Sequence, residues 1–211
     1  GMILLTGWRG ERAFVDPMCG SGTIPIEAAM IARHIAPGLL RPDFGFLRWP
    51  DLDEPLWQRI LGEAKTAVRP LGVAVGGGDV DPEAARLARQ NARRAFLLDD
   101  VPIETRAFED AGPPAAEGVI VTNPPYGERL EEEGIEELYR SLGDTLKRRW
   151  AGWEAWVLSA NIDALKRIGL RPERRIALRN GSLRCSFRRY TLYEGSRKRP
   201  AGDCPGPRND V

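Results

Sequence analysis

Short apolar runs alternate along the chain with longer stretches in which apolar residues return every three or four positions. That is the pattern of an α/β domain with a mainly parallel sheet. The first run, Ala13-Phe14-Val15, ends at Asp16-Pro17 and opens into Cys19-Gly20-Ser21-Gly22-Thr23. A helix is predicted from Ile24 to about Ala36, with Pro25 accommodated in its first turn and Pro37-Gly38 as its stop. The second strand is predicted from Leu71 to about Gly78. Asp81 then serves as N-cap and Pro82 as first residue of a helix reaching Phe96, whose core face would be Ala84, Leu87, Ala88, Ala92 and Ala95. A short third strand fits Ile103 to Arg106, a fourth Val119 to Thr122, and a fifth Ala155 to Leu158. Between the last two, Ile135, Leu138, Tyr139, Leu142, Leu146 and Trp150 keep helical spacing. From Arg174 to Glu194 apolar and polar residues alternate about Asn180-Gly181, which predicts an antiparallel hairpin at one edge of the sheet.

Two stretches break the rhythm. Residues 37–70 are too long for a tight crossover and read as an insertion, with five prolines, a helix near 54–67, and Phe44, Phe46, Trp49 and Trp57 expected to pack against the sheet. Residues 195–211 are dominated by Arg, Lys, Pro, Gly and Asp and are expected to be a disordered tail, leaving 1–194 as one domain. The length of 211 residues suits a single domain with a full core. No run of about 18 apolar residues occurs, so no membrane span is predicted. With 31 Lys and Arg against 30 Asp and Glu, a globally basic nucleic-acid binder is excluded, but a local basic surface is not. Cys19, Cys185 and Cys204 are few, odd in number and far apart, which argues against a disulfide framework or zinc site and for a cytoplasmic setting.

Gly20 and Gly22 stand where the first strand turns into its helix, the place where open α/β sheets bind ligands. Glycines there let the backbone approach a ligand, and the helix start offers unpaired N–H groups. The pattern is neither the dinucleotide fingerprint, whose third glycine would fall at Pro25, nor a P-loop. On its own it could be a plain strand–helix turn. Asp79, at the end of the second strand behind Gly76, Gly77 and Gly78, adds a carboxylate where a ribose is commonly held. Together the two loops read as a site for a nucleoside-type cofactor, while Asp81 caps the helix.

Asn123-Pro124-Pro125-Tyr126 follows the fourth strand, at the same edge. Consecutive prolines cannot continue a ladder, so the chain leaves the sheet in a stiff, preset shape. That holds the Asn123 amide and the Pro124 carbonyl as fixed acceptors for an NH2 group, and leaves Tyr126 to stack on a planar base.

On these residues the chain resembles a class I S-adenosylmethionine-dependent methyltransferase. More narrowly, it resembles the catalytic domain of the THUMP-containing, RlmL-like rRNA guanine-N2 methyltransferases. The matching runs are Phe14 to Thr23 (FVDPMCGSGT), Ile26 to Met30 (IEAAM), Ile35 to Leu39 (IAPGL), Gly78 to Pro82 (GDVDP), Thr122 to Leu130 (TNPPYGERL) and Asn180 to Cys185 (NGSLRC), within about residues 3–193. The pair DPMCGSGT and NPPYGERL is specific to this group. NPPY alone is shared with adenine-N6 and glutamine-N5 methyltransferases.

The resemblance implies a Rossmann-like fold with a mainly parallel seven-stranded sheet and an antiparallel C-terminal edge hairpin, and S-adenosyl-L-methionine as cofactor. It places Asp16, Pro17, Met18 and Cys19 through Gly20, Ser21, Gly22 and Thr23 at the methionine part, Asp79 at the ribose with Asp81 beside it, and Val80 on one face of the adenine. Related enzymes use an acid after the third strand for the adenine amine. Here that place holds Ala107-Phe108, so the Phe108 backbone or Asp110 would serve instead. Asn123, Pro124 and Tyr126 become the catalytic residues, with Asn123 also beside the cofactor. No metal is implied, and rRNA is the substrate.

The family carries a THUMP-type RNA-binding module upstream. Ile3 to Trp8 resembles the tail of a preceding helix, so the chain is expected to be the catalytic part of a longer protein. His34, the one histidine, is expected near the C-terminus of the first helix in a dipole or packing role. Twelve Lys and Arg fall between Ala164 and Pro200, from Lys166 to Arg199, against Glu173 and Glu194 alone. They read either as phosphate contacts or as a solvated sheet edge.

Overall fold

The computed structural model describes residues 1–126 and 132–194. The expected tail 195–211, with Arg197, Lys198 and Arg199, and the Gly127 to Leu130 end of the TNPPYGERL run lie outside the described residues.

Seven strands form one sheet in the order β3-β2-β1-β4-β5-β7-β6. They are β1 (Ala13–Asp16), β2 (Val75–Asp79), β3 (Ile103–Thr105), β4 (Gly118–Thr122), β5 (Trp153–Ser159), β6 (Arg174–Asn180) and β7 (Leu183–Thr191). The first five are mutually parallel, and β7 runs antiparallel between β5 and the edge strand β6. This is the expected Rossmann-like sheet with its C-terminal edge hairpin. Because β1 lies between β2 and β4, the chain winds outward in one direction, then returns and winds in the other. A crevice therefore opens at the carboxyl ends of β1 and β4.

Alternation across the strands assigns the two cores. Phe14, Val119, Val121, Trp156 and Phe187 point to the face covered by α1 (Met2–Thr6), α2 (Thr23–Ala32) and α4 (Pro82–Arg94). Ala13, Val15, Ile120, Ala155 and Val157 point to the face covered by α5 (Glu132–Arg149) and α6 (Ala164–Arg167). Every residue of β4 and β5 is buried, which is why Val119 to Val121 and Ala155 to Leu158 read as unbroken apolar runs. Gly143 lets α5 sit directly on α6, since a Cβ there would lie 1.9 Å from the Ile168 carbonyl oxygen. No helix among the described residues is long and apolar enough to cross a membrane.

Several expectations need correction. The first helix ends at Ala32 rather than Ala36, because the chain wraps back: the His34 N–H donates to the Ile31 carbonyl and the Ile35 N–H to that of Met30. His34 is the left-handed residue of this Schellman turn at φ 55, exposed beyond the helix rather than packed in its last turn. The second strand begins at Val75, not Leu71. On α4 the buried residues are Ala85, Ala88 and Ala92; Leu87 is 40% exposed, and Ala84 is half-buried. The hairpin loop is Gly181-Ser182, one residue later than expected, with Asn180 paired to Leu183.

The 37–70 segment does contain a helix, α3 (Glu54–Thr66), but its aromatics do not pack on the sheet. Phe44, Phe46 and Trp57 pack on one another with ring centroids 5.1–5.5 Å apart, while Trp49 is 64% exposed. No residue of α3 is buried, so the segment is a satellite cluster beside the domain core.

Candidate active site

Three chain segments meet at the carboxyl edge of the sheet. The first is the turn from β1 into α2. It is held from β2, where the Cys19 N–H donates to the Gly78 carbonyl (2.8 Å) and the Gly20 N–H to Asp79 Oδ2 (2.8 Å). It is also held from α4, where the Asn91 amide donates to the Ser21 carbonyl (2.9 Å). Gly22 needs its glycine twice over: it sits at φ +82, and a Cβ would lie 2.9 Å from the Ala88 methyl. Above Gly20, by contrast, a Cβ would meet nothing within 4 Å, so the loop's outer surface is open to a ligand. No side chain caps α2, and its first N–H groups face this opening.

The second segment is the end of β2. Asp79 is half-buried, its Oδ1 accepting from the Asp81 N–H (3.0 Å) while Oδ2 holds Gly20. This carboxylate joins the two loops before any ligand arrives, and each oxygen keeps a further lone pair. Val80 next to it is 70% exposed. Asp81 caps α4 as expected, accepting from the Glu83 N–H at 2.9 Å.

The third segment follows β4. Pro124 is buried, while Asn123 and Tyr126 are half-buried. Asn123 Oδ1 is shut off from solvent and has no hydrogen-bond partner among the described residues. An acceptor left unpaired in this way is expensive unless a ligand donor completes it. Tyr126 brings in a residue that the sequence reading gave no role: the Asn180 amide at the end of β6 donates to the Tyr126 hydroxyl at 2.7 Å. The signal for it was the NGSLRC run, whose position in the hairpin gave no hint of contact with a residue 54 positions earlier.

Other expected site residues are placed differently. Asp16 is 1% exposed and accepts from the Met18 N–H at 3.2 Å, so its carboxyl lies beneath the loop. Burial raises it to about 7, opposed by the Thr122 side chain and the Met18 N–H and reinforced by the Asp79 charge. The Thr122 hydroxyl sits near this carboxyl without completing a hydrogen bond. Pro17 and Cys19 are buried, Met18 and Ser21 are half-buried, and Thr23 is exposed. The Cys19 thiol is pushed up to about 12 by burial and by Asp16 and Asp79, so it is an inert packing group.

On the adenine side, the Phe108 ring is buried and stacked on Trp150 (6.4 Å between centroids), which leaves only its backbone for a ligand. Asp110 is exposed. The link from β3 to β4 carries just a 3-10 turn, Phe108–Asp110, where such folds usually place a helix. Beside that link a cavity of about 180 Å³, lined by Val15, Gly76, Gly78, Pro102, Glu104 and Arg106, runs along β2. It lies next to the carboxyl-edge site but contains neither the Gly20 loop nor Asn123.

The residues present fit a nucleoside-type sulfonium cofactor: an open glycine loop, a rim carboxylate and an exposed apolar neighbour lie along one edge. Comparison with known proteins points the same way. Residues 1–189 match the family model described as RMKL-like, methyltransferase domain (UPF0020). A Synechocystis protein provisionally named an RNA methyltransferase is 42% identical over 194 residues, 91% of this chain and 50% of that protein. A ribosomal RNA large subunit methyltransferase K/L from a Shewanella species is 38% identical over 204 residues, 94% of this chain but 29% of that protein. A crystal structure of a provisionally named methyltransferase complexed with SAH superposes with a TM-score of 0.84 at 36% identity, covering 93% of this chain and 52% of that one. A Listeria monocytogenes structure described as a predicted N6-adenine-specific DNA methylase reaches 0.80 at 35% identity, covering 90% and 49%. The chain thus spans about half or less of the length of each of these relatives.

Proposed function

The chain belongs to the RMKL-like methyltransferase domain family, and we propose that it methylates the exocyclic N2 amine of a guanosine in large-subunit rRNA. Its cofactor is S-adenosylmethionine, which supplies when bound an electrophilic methyl group on a neutral leaving group. The observation that carries the proposal is the unpaired, buried Asn123 Oδ1 at the carboxyl end of β4, one strand from the cofactor loop.

An exocyclic guanine amine is a weak nucleophile because its lone pair is delocalised into the ring. Asn123 Oδ1 and the Pro124 carbonyl accept its two N–H groups, favouring a pyramidal nitrogen and stabilising the positive charge that grows there. Tyr126 covers the flipped base, with Asn180 fixing its hydroxyl. Asp79 takes the ribose hydroxyls, Val80 one face of the adenine, and the Cys19 to Thr23 turn the methionine end. Asp16 supports that turn from below, and Phe108 and Asp110 border the adenine by backbone and side chain respectively. With a neutral leaving group, orientation carries more of the barrier than base strength.

The K/L relatives favour rRNA as the class of substrate, and their greater length favours a further RNA-binding module, of THUMP type, working with this domain in the cytoplasm. The Listeria relative's name supports a second reading, transfer to adenine N6. One experiment separates the two. Radiolabelled methyl transfer is measured on rRNA, DNA and release-factor protein in parallel, and the labelled nucleosides are identified by mass spectrometry. N2-methylguanosine from rRNA, lost in Asn123→Ala, is the expected result. N6-methyladenine, or label on protein, would replace the proposal.

A further inference from the structure

We propose that the outer face of the β6–β7 hairpin is a phosphate-binding site for the nucleic-acid backbone, formed by Arg175, Arg179, Arg184 and Arg188. The inference rests on the reading of the substrate as RNA and adds where its backbone is held. The register puts Arg175 directly opposite Arg188, Ala177 opposite Ser186, and Arg179 opposite Arg184. Strand alternation sends all six to one face, while Ile176, Leu178, Cys185 and Phe187 go to the other, into the core. The result is two pairs of arginines, on the order of 13 Å apart along the strands, with the two small residues Ala177 and Ser186 between them.

Like charges directly opposite destabilise a hairpin, and nothing in the described residues offsets these. None of the four makes an ion pair with a carboxylate among the described residues. Arg189, on the opposite face of the same strand, shows the alternative: it meets Glu154 at 2.7 Å. Arg188 is instead braced within its own face, donating from Nε to Ser186 Oγ at 3.2 Å. At the inner end of the row, the buried Tyr190 hydroxyl lies beside Arg188 without completing a hydrogen bond.

The chemistry selects the ligand. Planar guanidinium forks match phosphate oxygens, and two such pairs suit two phosphates of one strand separated by an intervening one. The floor of Ala177 and Ser186 offers no aromatic platform, so contact here would be to the backbone and would not read sequence. Position ties the face to the reaction. The hairpin loop lies at the carboxyl edge, and Asn180, next to Arg179, is bonded to Tyr126. Strand alternation puts the Asn180 side chain on the opposite face from Arg179, so a strand lying along these arginines would turn over the hairpin loop to present its nucleoside to Asn123.

The test uses the whole chain, with a fluorescein-labelled single-stranded oligoribonucleotide as probe and anisotropy read across a salt series. Arg175, Arg179 and Arg184 are exposed, so the triple variant R175E/R179E/R184E is compared with wild type; buried Arg188 is left in place. The expected result is a loss of roughly tenfold or more in affinity at low salt. The slope of log affinity against log salt should become shallower by about two. Calorimetric affinity for S-adenosylhomocysteine should be unchanged, and methyl transfer should show a raised KM with kcat retained. Unchanged affinity and slope, with S-adenosylhomocysteine binding intact, would overturn the proposal. If the triple variant loses S-adenosylhomocysteine binding, the single variants Arg179→Glu and Arg184→Glu are judged by the same criteria. A wild-type chain that binds no oligoribonucleotide but methylates DNA or protein would instead remove the RNA reading, and this site with it.

Discussion

Asp79 illustrates how one side chain can hold a loop and a ligand together. Its two oxygens already accept from the N–H groups of Gly20 and Asp81, and the same oxygens face the proposed ribose. Asp79→Ala should weaken S-adenosylhomocysteine binding by more than tenfold in calorimetry, since charge-assisted hydrogen bonds are worth ~1.5–3 kcal/mol each. Asn180 should act only through Tyr126. Asn180→Ala and Tyr126→Phe are therefore expected to lower kcat by similar factors, with the double variant no worse than either single one. Additive losses in that cycle would separate the two residues. Asp16 sets a pH dependence. Its folded value of about 7 lies above the ordinary 3.8, so the folded state holds a proton that the unfolded state has released. The carboxyl thus detracts nothing below about pH 4, progressively more as pH rises toward 7, and a constant amount above it. Asp16→Asn should raise the urea midpoint at pH 8 and leave it nearly unchanged at pH 4. The positions of Asp79 and Asn123 at the carboxyl edge were legible because Asp79 ends one strand and Asn123 directly follows another, and the direction of each strand fixes that edge. Asn180 was not, because its partner is set by a register between strands that no local pattern encodes.

Helices were legible by their periodicity and less so by their ends. The start of α4 was readable from Asp81-Pro82, a cap followed by a first-turn proline. Its end follows the same wrap as α2: the Phe96 N–H donates to the Arg93 carbonyl and the Leu97 N–H to that of Ala92, with Phe96 left-handed at φ 59. Glycine is the usual signal for this turn, and here His34 and Phe96 stand in its place, so the stop was hidden. Phe96 is also 83% exposed, so its ring gains little from burial. Phe96→Gly should therefore stabilise the protein by about 1 kcal/mol, from relief of the left-handed strain, measured as a raised urea midpoint with unchanged slope. The aromatics of the 37–70 segment were misjudged for a related reason. Apolar content says that a side chain will be covered, but not by what, and Phe44, Phe46 and Trp57 cover one another.

At the scale of the molecule, the alternation of runs revealed a mainly parallel sheet and its antiparallel edge hairpin, while the strand order came from the structure. Nor did the alternation reveal that the β3–β4 link lacks a helix, because an absent helix leaves no pattern of its own. The edge strand β6 carries one more consequence. A sheet margin of seven residues, with a row of backbone groups unpaired by any other strand among the described residues, is an invitation to pair with a second copy. Three arginines, Arg174, Arg175 and Arg179, lie along it, and their mutual repulsion between two such margins keeps copies apart whatever else they bind. Neutral replacements should therefore behave differently from acidic ones. R175A/R179A/R184A is expected to self-associate with rising concentration in light scattering, whereas R175E/R179E/R184E stays monodisperse. A surface charge suited to attracting a polyanion would then also be what keeps the protein from polymerising through its own sheet.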